Sequence, residues 1–438
     1  MSILNVNKIN PVGGGSTITI AGIASVTSSV TAPSFVGAVT GNVTGNVTGN
    51  ADTASGLSGN PSINTTGIVT ATSFVPTVGQ LSHRNIVING DFQISQRANT
   101  NNTTGAQSTY HTLDRWMTQI QAGTITESKQ DLATSDTPYT LGFRKYMRIL
   151  NQSGIGAGAA QYAEIDHRIE AQNIANSGWN YTSSSSYITL SFWIRASVAQ
   201  SYIIVVYSVD GTQRHYPFTV ALSADTWTKV TKTIPGNSGI TVNNDNGHGL
   251  TLSFIAAYGT NYTSDSGTLN AWNTTGNGLN RFPDMTTTWA TTTNATFDLT
   301  GVQLEVGPVA TPFEHRSFGD ELRRCQRYYY KSSRWMGGAR GSSTSRSFVT
   351  DFGMRLTGSA VSGGTYTNNA TSGGDVVYIG SSATRQNSDV NANSLGASST
   401  SSNGSLQLGV TCGYGIGSGD NGIVTGLYIA GFTIDHEL

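Results

Sequence analysis

The sequence predicts a mainly β protein: an intertwined, homo-oligomeric N-terminal shaft, a two-sheet antiparallel β-sandwich, one short helix and a small C-terminal β region. Three observations predict it. Charged residues make up 11% of the 438-residue chain, well below the roughly 25% of ordinary globular domains. Glycine reaches 52 residues, with Thr, Ser and Asn abundant, a mixture that favours strands and tight turns over helices. Beyond residue 84, short runs alternate apolar and polar residues between turn-rich stretches, the pattern of an antiparallel sandwich.

The shaft is read from residues 1–83. Its first 80 residues hold two formal charges, Lys8 and Asp52, and two aromatics, Phe35 and Phe74. The stretch Gly41-Asn42-Val43-Thr44-Gly45-Asn46-Val47-Thr48-Gly49-Asn50 puts Val43, Gly45, Val47 and Gly49 on one face of a strand. So thin an apolar edge is buried only if other copies of the chain supply the remaining walls. Val30-Thr31-Ala32-Pro33-Ser34-Phe35-Val36-Gly37 returns as Val69-Thr70-Ala71-Thr72-Ser73-Phe74-Val75-Pro76, six of eight positions identical at an offset of 39. A small unit stacked along an axis repeats in this way.

Residues 84–316 read as the sandwich. Asn85–Arg97 reads as a strand, an Asn89-Gly90-Asp91 turn and a second strand. Further strands are expected at Tyr146–Leu150, Gln161–Ile169, Tyr187–Ala196, Tyr202–Val209, Trp227–Ile234, Leu250–Tyr258 and Ala295–Val306. Trp116, Trp193 and Trp227 sit in or beside such runs, as core residues do. Gly259–Thr293 is an elaborated loop holding Tyr262, Trp272, Phe282 and Trp289. In residues 317–438 the one helix is Asp320–Tyr330, capped by Asp320, with Leu322, Cys325 and Tyr329 on one face. Short strands follow, the last at Val424–Ile434.

Net charge is −1 without a basic stripe, which argues against nucleic-acid binding. No apolar run is long enough to insert into a membrane, and the N-terminus reads as lacking a secretory signal. Cys325 and Cys412 read as buried free thiols from a reducing cytosol. The seven histidines show no zinc-type spacing. Glu164 and Asp166 would face the same way in a strand, as a glycosidase pair does; a solvated face or pairing with Arg168 is the alternative. Arg323, Arg324 and Arg327 read as a solvated helix face.

Four motifs carry a resemblance. Asn85–Arg97 resembles the "N-x-x-I-N-G-D-F-x-I-x-Q-R" opening of a bacteriophage tail-fibre module, and Asp114-Arg115-Trp116 its "D-R-W" landmark. Phe297–Gly307 with Thr311-Pro312-Phe313-Glu314 resembles its close, and Glu321–Tyr330 its "EL-x-x-CQRYY" helix. The repeats in residues 1–83 look like those of virion structural proteins of marine phages, cyanophages among them, and Asp435-His436-Glu437-Leu438 is similar to the ending of many phage fibres.

The resemblance implies a homotrimeric virion fibre protein carrying a jelly-roll module like carbohydrate-binding modules. Residues 1–83 would dock to other virion proteins of the tail, baseplate, collar or capsid. The remainder would bind host-surface polysaccharide by multivalent, non-catalytic adhesion. A structural capsid or collar fibre without receptor role is the alternative, and a polysaccharide depolymerase a third. Tyr258, Tyr262, Trp272 and Trp289 become candidate glycan contacts; otherwise they pin the long loop or a subunit contact. In modules of this kind the first and last strands often share a structural calcium, so Asp91 and Asp298 are its candidate ligands, with an Asx turn and a surface Asp as the alternative. No other cofactor is expected.

Overall fold

The stretch Tyr187–Ala196 alternates so strictly that Ile188, Leu190, Phe192, Ile194 and Ala196 share one face, and all five are buried in one core. Repeated along the chain, this pattern builds two antiparallel sheets packed face to face. The computed structural model describes residues 83–263, 267–274, 283–339 and 437, and seven strands between 345 and 435. Side chains are described to residue 331 and at 437. The chain divides into two compact units, Met1–Ser73 and Phe74–Leu438. The expected shaft and its repeats therefore lie outside the described residues, as does Cys412.

In chain order the elements begin β1 (Thr100–Thr104), β2 (Gln107–Thr109), β3 (Trp116–Ile120), β4 (Thr124–Asp131), α1 (Thr137–Thr140), β5 (Lys145–Asn151), β6 (Tyr162–Glu170), α2 (Ala171–Ala175) and β7 (Tyr187–Ala196). They continue with β8 (Gln200–Ser208), β9 (Arg214–Leu222), β10 (Thr228–Pro235), β11 (His248–Tyr258), β12 (Asn273–Thr274), α3 (Thr288–Thr291), β13 (Ala295–Val306) and α4 (Phe318–Gln326). One sheet runs β1-β4-β5-β13-β7-β10, the other β12-β9-β8-β11-β6-β3-β2. Successive strands cross repeatedly between the sheets, as in a jelly roll. Then come β14 (Tyr329–Ala339), β15 (Ser345–Thr350), β16 (Thr365–Asn368), β17 (Asp375–Ile379), β18 (Arg385–Asp389), β19 (Leu395–Thr400), β20 (Leu406–Thr411) and β21 (Val424–Asp435). They form sheets β14-β21-β16 and β15-β20-β19 and the pair β17-β18.

Three expectations need correcting. Asn85–Arg97 is not a hairpin but irregular chain laid along β13: Ile86 N donates to Leu304 O and Val302 N to Gly90 O, both at 2.9 Å. Asn89, at φ 59°, substitutes for a strand partner. Its amide donates to Ile94 O and Asp114 O, and its Oδ1 accepts from Ile94 N, each at 2.9 Å. A Cβ on Gly90 would overlap the Val302 carbonyl, so only glycine fits there.

The helix α4 is capped by Ser317, not Asp320: Ser317 Oγ accepts from Asp320 N at 3.2 Å. It ends at Gln326, so Tyr329 opens β14 instead of extending the helical face. Three further short helices, α1, α2 and α3, went unpredicted, because four- and five-residue helices carry no readable periodicity. The strand β9 was also missed, because Pro217 interrupts it. That proline is tolerated because β9 pairs fully only with β8, while its other edge meets only the two-residue β12.

Candidate functional site

Three of the four motifs, at Asn85–Arg97, Asp114–Trp116 and Glu321–Tyr330, meet with Glu437 in one buried seam, which is architecture. Trp116, fully buried, packs against Phe92 and His167, each with ring centroids at 4.7 Å, and its Nε1 donates to Asn89 O at 2.9 Å. Burial, then the nearby Arg115 charge, holds the His167 imidazole far below its usual pKa, so it is neutral. Arg115, at φ 73° and 1% exposed, donates to the Glu437 carboxylate and to Arg168 O, and its guanidinium lies 3.5 Å over the Tyr328 ring. Burial works against its charge, but Glu437 and neighbouring tyrosines raise its pKa. Arg97, stacked 3.6 Å over Tyr329, also reaches Glu437 at 3.4 Å. Cys325 and Tyr328 pack on Ile88 and Ile94. Burial pushes the Cys325 thiol well up, so it is inert.

The expected calcium ligands do not come together as a site. Asp298, fully buried, is engaged by Arg148 at 2.7 and 2.8 Å and by Arg195 at 2.9 Å. With both oxygens held by guanidinium groups, it is neither a surface residue nor placed to take a hard cation. Asp91 borders a cavity of about 240 Å³ beside Glu321 and Arg316. Burial and then the Glu321 charge raise its pKa to about 6. Among the described residues, no group of three or more His, Cys, Asp or Glu side chains is placed to hold a metal ion.

The four loop aromatics separate. Trp289 is fully buried; α3 carries it into the sandwich core, where its Nε1 donates to Thr296 O at 3.1 Å. It offers no face to a sugar. Trp272, half-buried, packs on Tyr216 at 5.4 Å and donates to Pro235 O at 2.6 Å, pinning the loop to the sandwich. Tyr258 and Tyr262 instead meet on the outer face of the seven-stranded sheet, 5.4 Å apart.

That face is built by the strands. In β6 the even positions Tyr162, Glu164, Asp166 and Arg168 point away from the core, opposite Ala163, Ile165 and Ile169. In β11 a bulge between Ile255 and Ala257 turns both Ala256 and Ala257 inward and carries Tyr258 out, opposite Tyr162. Tyr162, Tyr258 and Tyr262 then form a trio with centroids 5.3–5.6 Å apart, set among Ile203, Val205, Ile255 and Met285. Tyr162 and Tyr262 remain partly exposed, whereas Tyr258 is buried.

Beside the trio, Gln119 Nε2 donates to Glu164 Oε1 at 3.1 Å and to Asp166 Oδ2 at 2.6 Å, and Ser253 Oγ donates to Asp166 Oδ1 at 2.5 Å. Farther along, Tyr207 stacks on His215 at 5.1 Å. Burial, then Asp166 and Glu164, raise the Tyr207 pKa, so it stays a neutral phenol. Sequence reasoning missed Tyr162, Tyr207 and Gln119; for Tyr162 the signal was its shared parity with Glu164. Glu170, at the end of the same strand, is gripped by Arg327 through two bonds of 3.0 Å, which takes Arg327 out of the expected solvated helix face.

No family model and no curated protein matches the chain. Solved structures do. The apo form of a cyclase from Fischerella sp. is similar over 54% of this chain and 98% of its own, at 11% identity and TM-score 0.28. A family 11 carbohydrate-binding module from Clostridium thermocellum is similar over 48% and 99%, at 11% identity and TM-score 0.23. The enzymatically active domain of a bacteriophage CBA120 tailspike is similar over 51% of this chain and 21% of its own, at 9% identity and TM-score 0.28.

Proposed function

We propose that this protein is a homotrimeric virion fibre protein, made in the host cytoplasm and displayed on the particle. In this reading residues 1–83 attach it to the virion, and its sandwich adheres without catalysis to host-surface polysaccharide. The observation that carries the glycan reading is the tyrosine trio on the outer sheet face. The partly exposed Tyr162 and Tyr262 rings lie beside the Gln119 amide, so a sugar would find an apolar face and a hydrogen-bonding group together. The fibre reading rests on the N-terminal repeats and on the four motifs. The non-catalytic reading is supported by Asp166, fully buried and engaged by Gln119 and Ser253, which withdraws it from an acid–base role.

The test is retention of the purified full-length chain in gels containing polysaccharide from the host surface. Tyr262→Ala and Tyr162→Ala should weaken retention about tenfold or more, since three copies multiply each loss, with melting temperature nearly unchanged. Full retention by both variants would remove the trio from adhesion. Absence of retention by the unaltered chain would leave the structural-fibre reading.

A further inference from the structure

On the opposite side of the sandwich, the outer face of the six-stranded sheet holds an open cleft of about 450 Å³ that no sequence motif pointed to. Its walls are aromatic. Phe143, Phe313 and His315 form a triangle with ring centroids 4.9–5.1 Å apart, and Trp193 lines the same cleft. Strand register supplies a charge: Lys229 of β10 stands directly opposite Trp193 of β7 on the outer face, with Ser191 two residues along.

The cleft is formed by a defect in the sheet. Where β13 pairs with β7 the register shifts between Thr300 and Gln303, and Gly301 occupies the bulge at φ 63°. A Cβ there would come within 2.7 Å of the Phe143 ring, so the missing side chain is what lets that ring lie against the sheet. The rim carries Leu141, an apolar side chain left 51% exposed. Among the described residues, no carboxylate lines the cleft. Lys229 is exposed and, among the described residues, has no ion-pair partner.

We propose that this cleft is a second ligand site that takes an acidic sugar residue of a polysaccharide. The accessible Phe313 and His315 rings, backed by the buried Phe143 and Trp193, receive the apolar face of a pyranose ring, the Ser191 hydroxyl meets its edge, and the Lys229 ammonium pairs with its carboxylate. Aromatic walls with one cation and no anion select against neutral and cationic ligands of the same shape. The site is independent of the tyrosine trio, which lies on the other sheet.

The test follows the intrinsic tryptophan fluorescence of the full-length chain, with Trp193→Phe showing the share of the signal that comes from the cleft. It is titrated with oligogalacturonate, a glucuronate-containing oligosaccharide and a sialylated oligosaccharide, and with the methyl ester of whichever acid binds. At least one acid should bind in the millimolar range or tighter. Its methyl ester should bind at least tenfold more weakly. Lys229→Gln should weaken the acid tenfold at unchanged melting temperature, while Tyr262→Ala should leave binding intact. Equal binding of acid and ester, full binding by Lys229→Gln, or no binding by any of the three acids would overturn the proposal. Loss of binding in Tyr262→Ala would move the site to the trio; intact binding there separates this outcome from failure of the adhesion test.

Discussion

Removing the Glu437 carboxylate should destabilise a protein whose sandwich lies more than a hundred residues away in sequence. Glu437 is 4% exposed and the Arg115 it binds is 1% exposed, with Arg97 as a second cationic partner at 3.4 Å. Glu437→Ala would leave the Arg115 guanidinium buried, with the Arg168 carbonyl and the Tyr328 ring as its remaining partners among the described residues. Deleting one partner of such a pair costs about 3–5 kcal/mol, mostly the burial of an uncompensated charge. At roughly 2–4 °C per kcal/mol for a domain of this size, the near-ultraviolet melting transition should fall by about 6–20 °C. Because the charge left behind causes the loss, the Arg115→Met, Glu437→Ala double variant should lose less than the two single losses added, by more than about 1 kcal/mol. A melting shift under about 2 °C for Glu437→Ala, or strictly additive losses, would refute the clamp.

Four further outcomes follow. Trp289→Ala should cost about 3–5 kcal/mol in thermal unfolding while glycan retention measured below the transition stays intact, since the ring is buried in the core. Asp91 keeps its proton up to about pH 6 in the folded chain against 3.8 ordinarily, so the folded state binds more protons between those values. Its contribution to stability is therefore whole below pH 3.8 and lost as pH rises through 6. Asp91→Asn should gain on the unaltered chain from pH 4 to pH 7, by roughly 2–3 kcal/mol at most, in denaturant titrations. Gly90→Ala should destabilise by about 1–3 kcal/mol by the same titration, because a Cβ there overlaps the Val302 carbonyl. Light scattering on the full-length chain should give three times 46.1 kDa; a stable folded monomer would sink the trimer.

The legible part of the fold was its alternation. The strands β7 and β13 coincide residue for residue with the runs read at Tyr187–Ala196 and Ala295–Val306, because an interior strand of a sandwich needs an apolar side chain at every second position and the composition records it. The strand β4 was illegible for the same reason inverted. Its buried Glu127 is satisfied by the hydroxyls of Thr112 and Thr118, so polar residues occupy positions where apolar ones were sought. For the candidate site, Tyr258 and Tyr262 were legible as aromatics of a loop region, but their partner Tyr162 and their shared face were not.

By itself the sequence determined that the chain is mainly β, where its strictly alternating strands such as β7 and β13 run, and which face of them enters the core, since period-two alternation is local chemistry. The tertiary structure alone decided where the exceptions go. Strict parity would send Tyr258 inward with Leu250, Leu252 and Phe254; the bulge opposite β6 turns it outward to meet Tyr162. Trp289 and Trp272 look alike in a polar loop, yet the first is buried in the core and the second pins the surface. Asp298 looks available for a metal until Arg148 and Arg195 arrive from β5 and β7. Bulges, burial and ion pairing are properties of the neighbouring strands, and a residue's neighbours exist only once the sheets have formed.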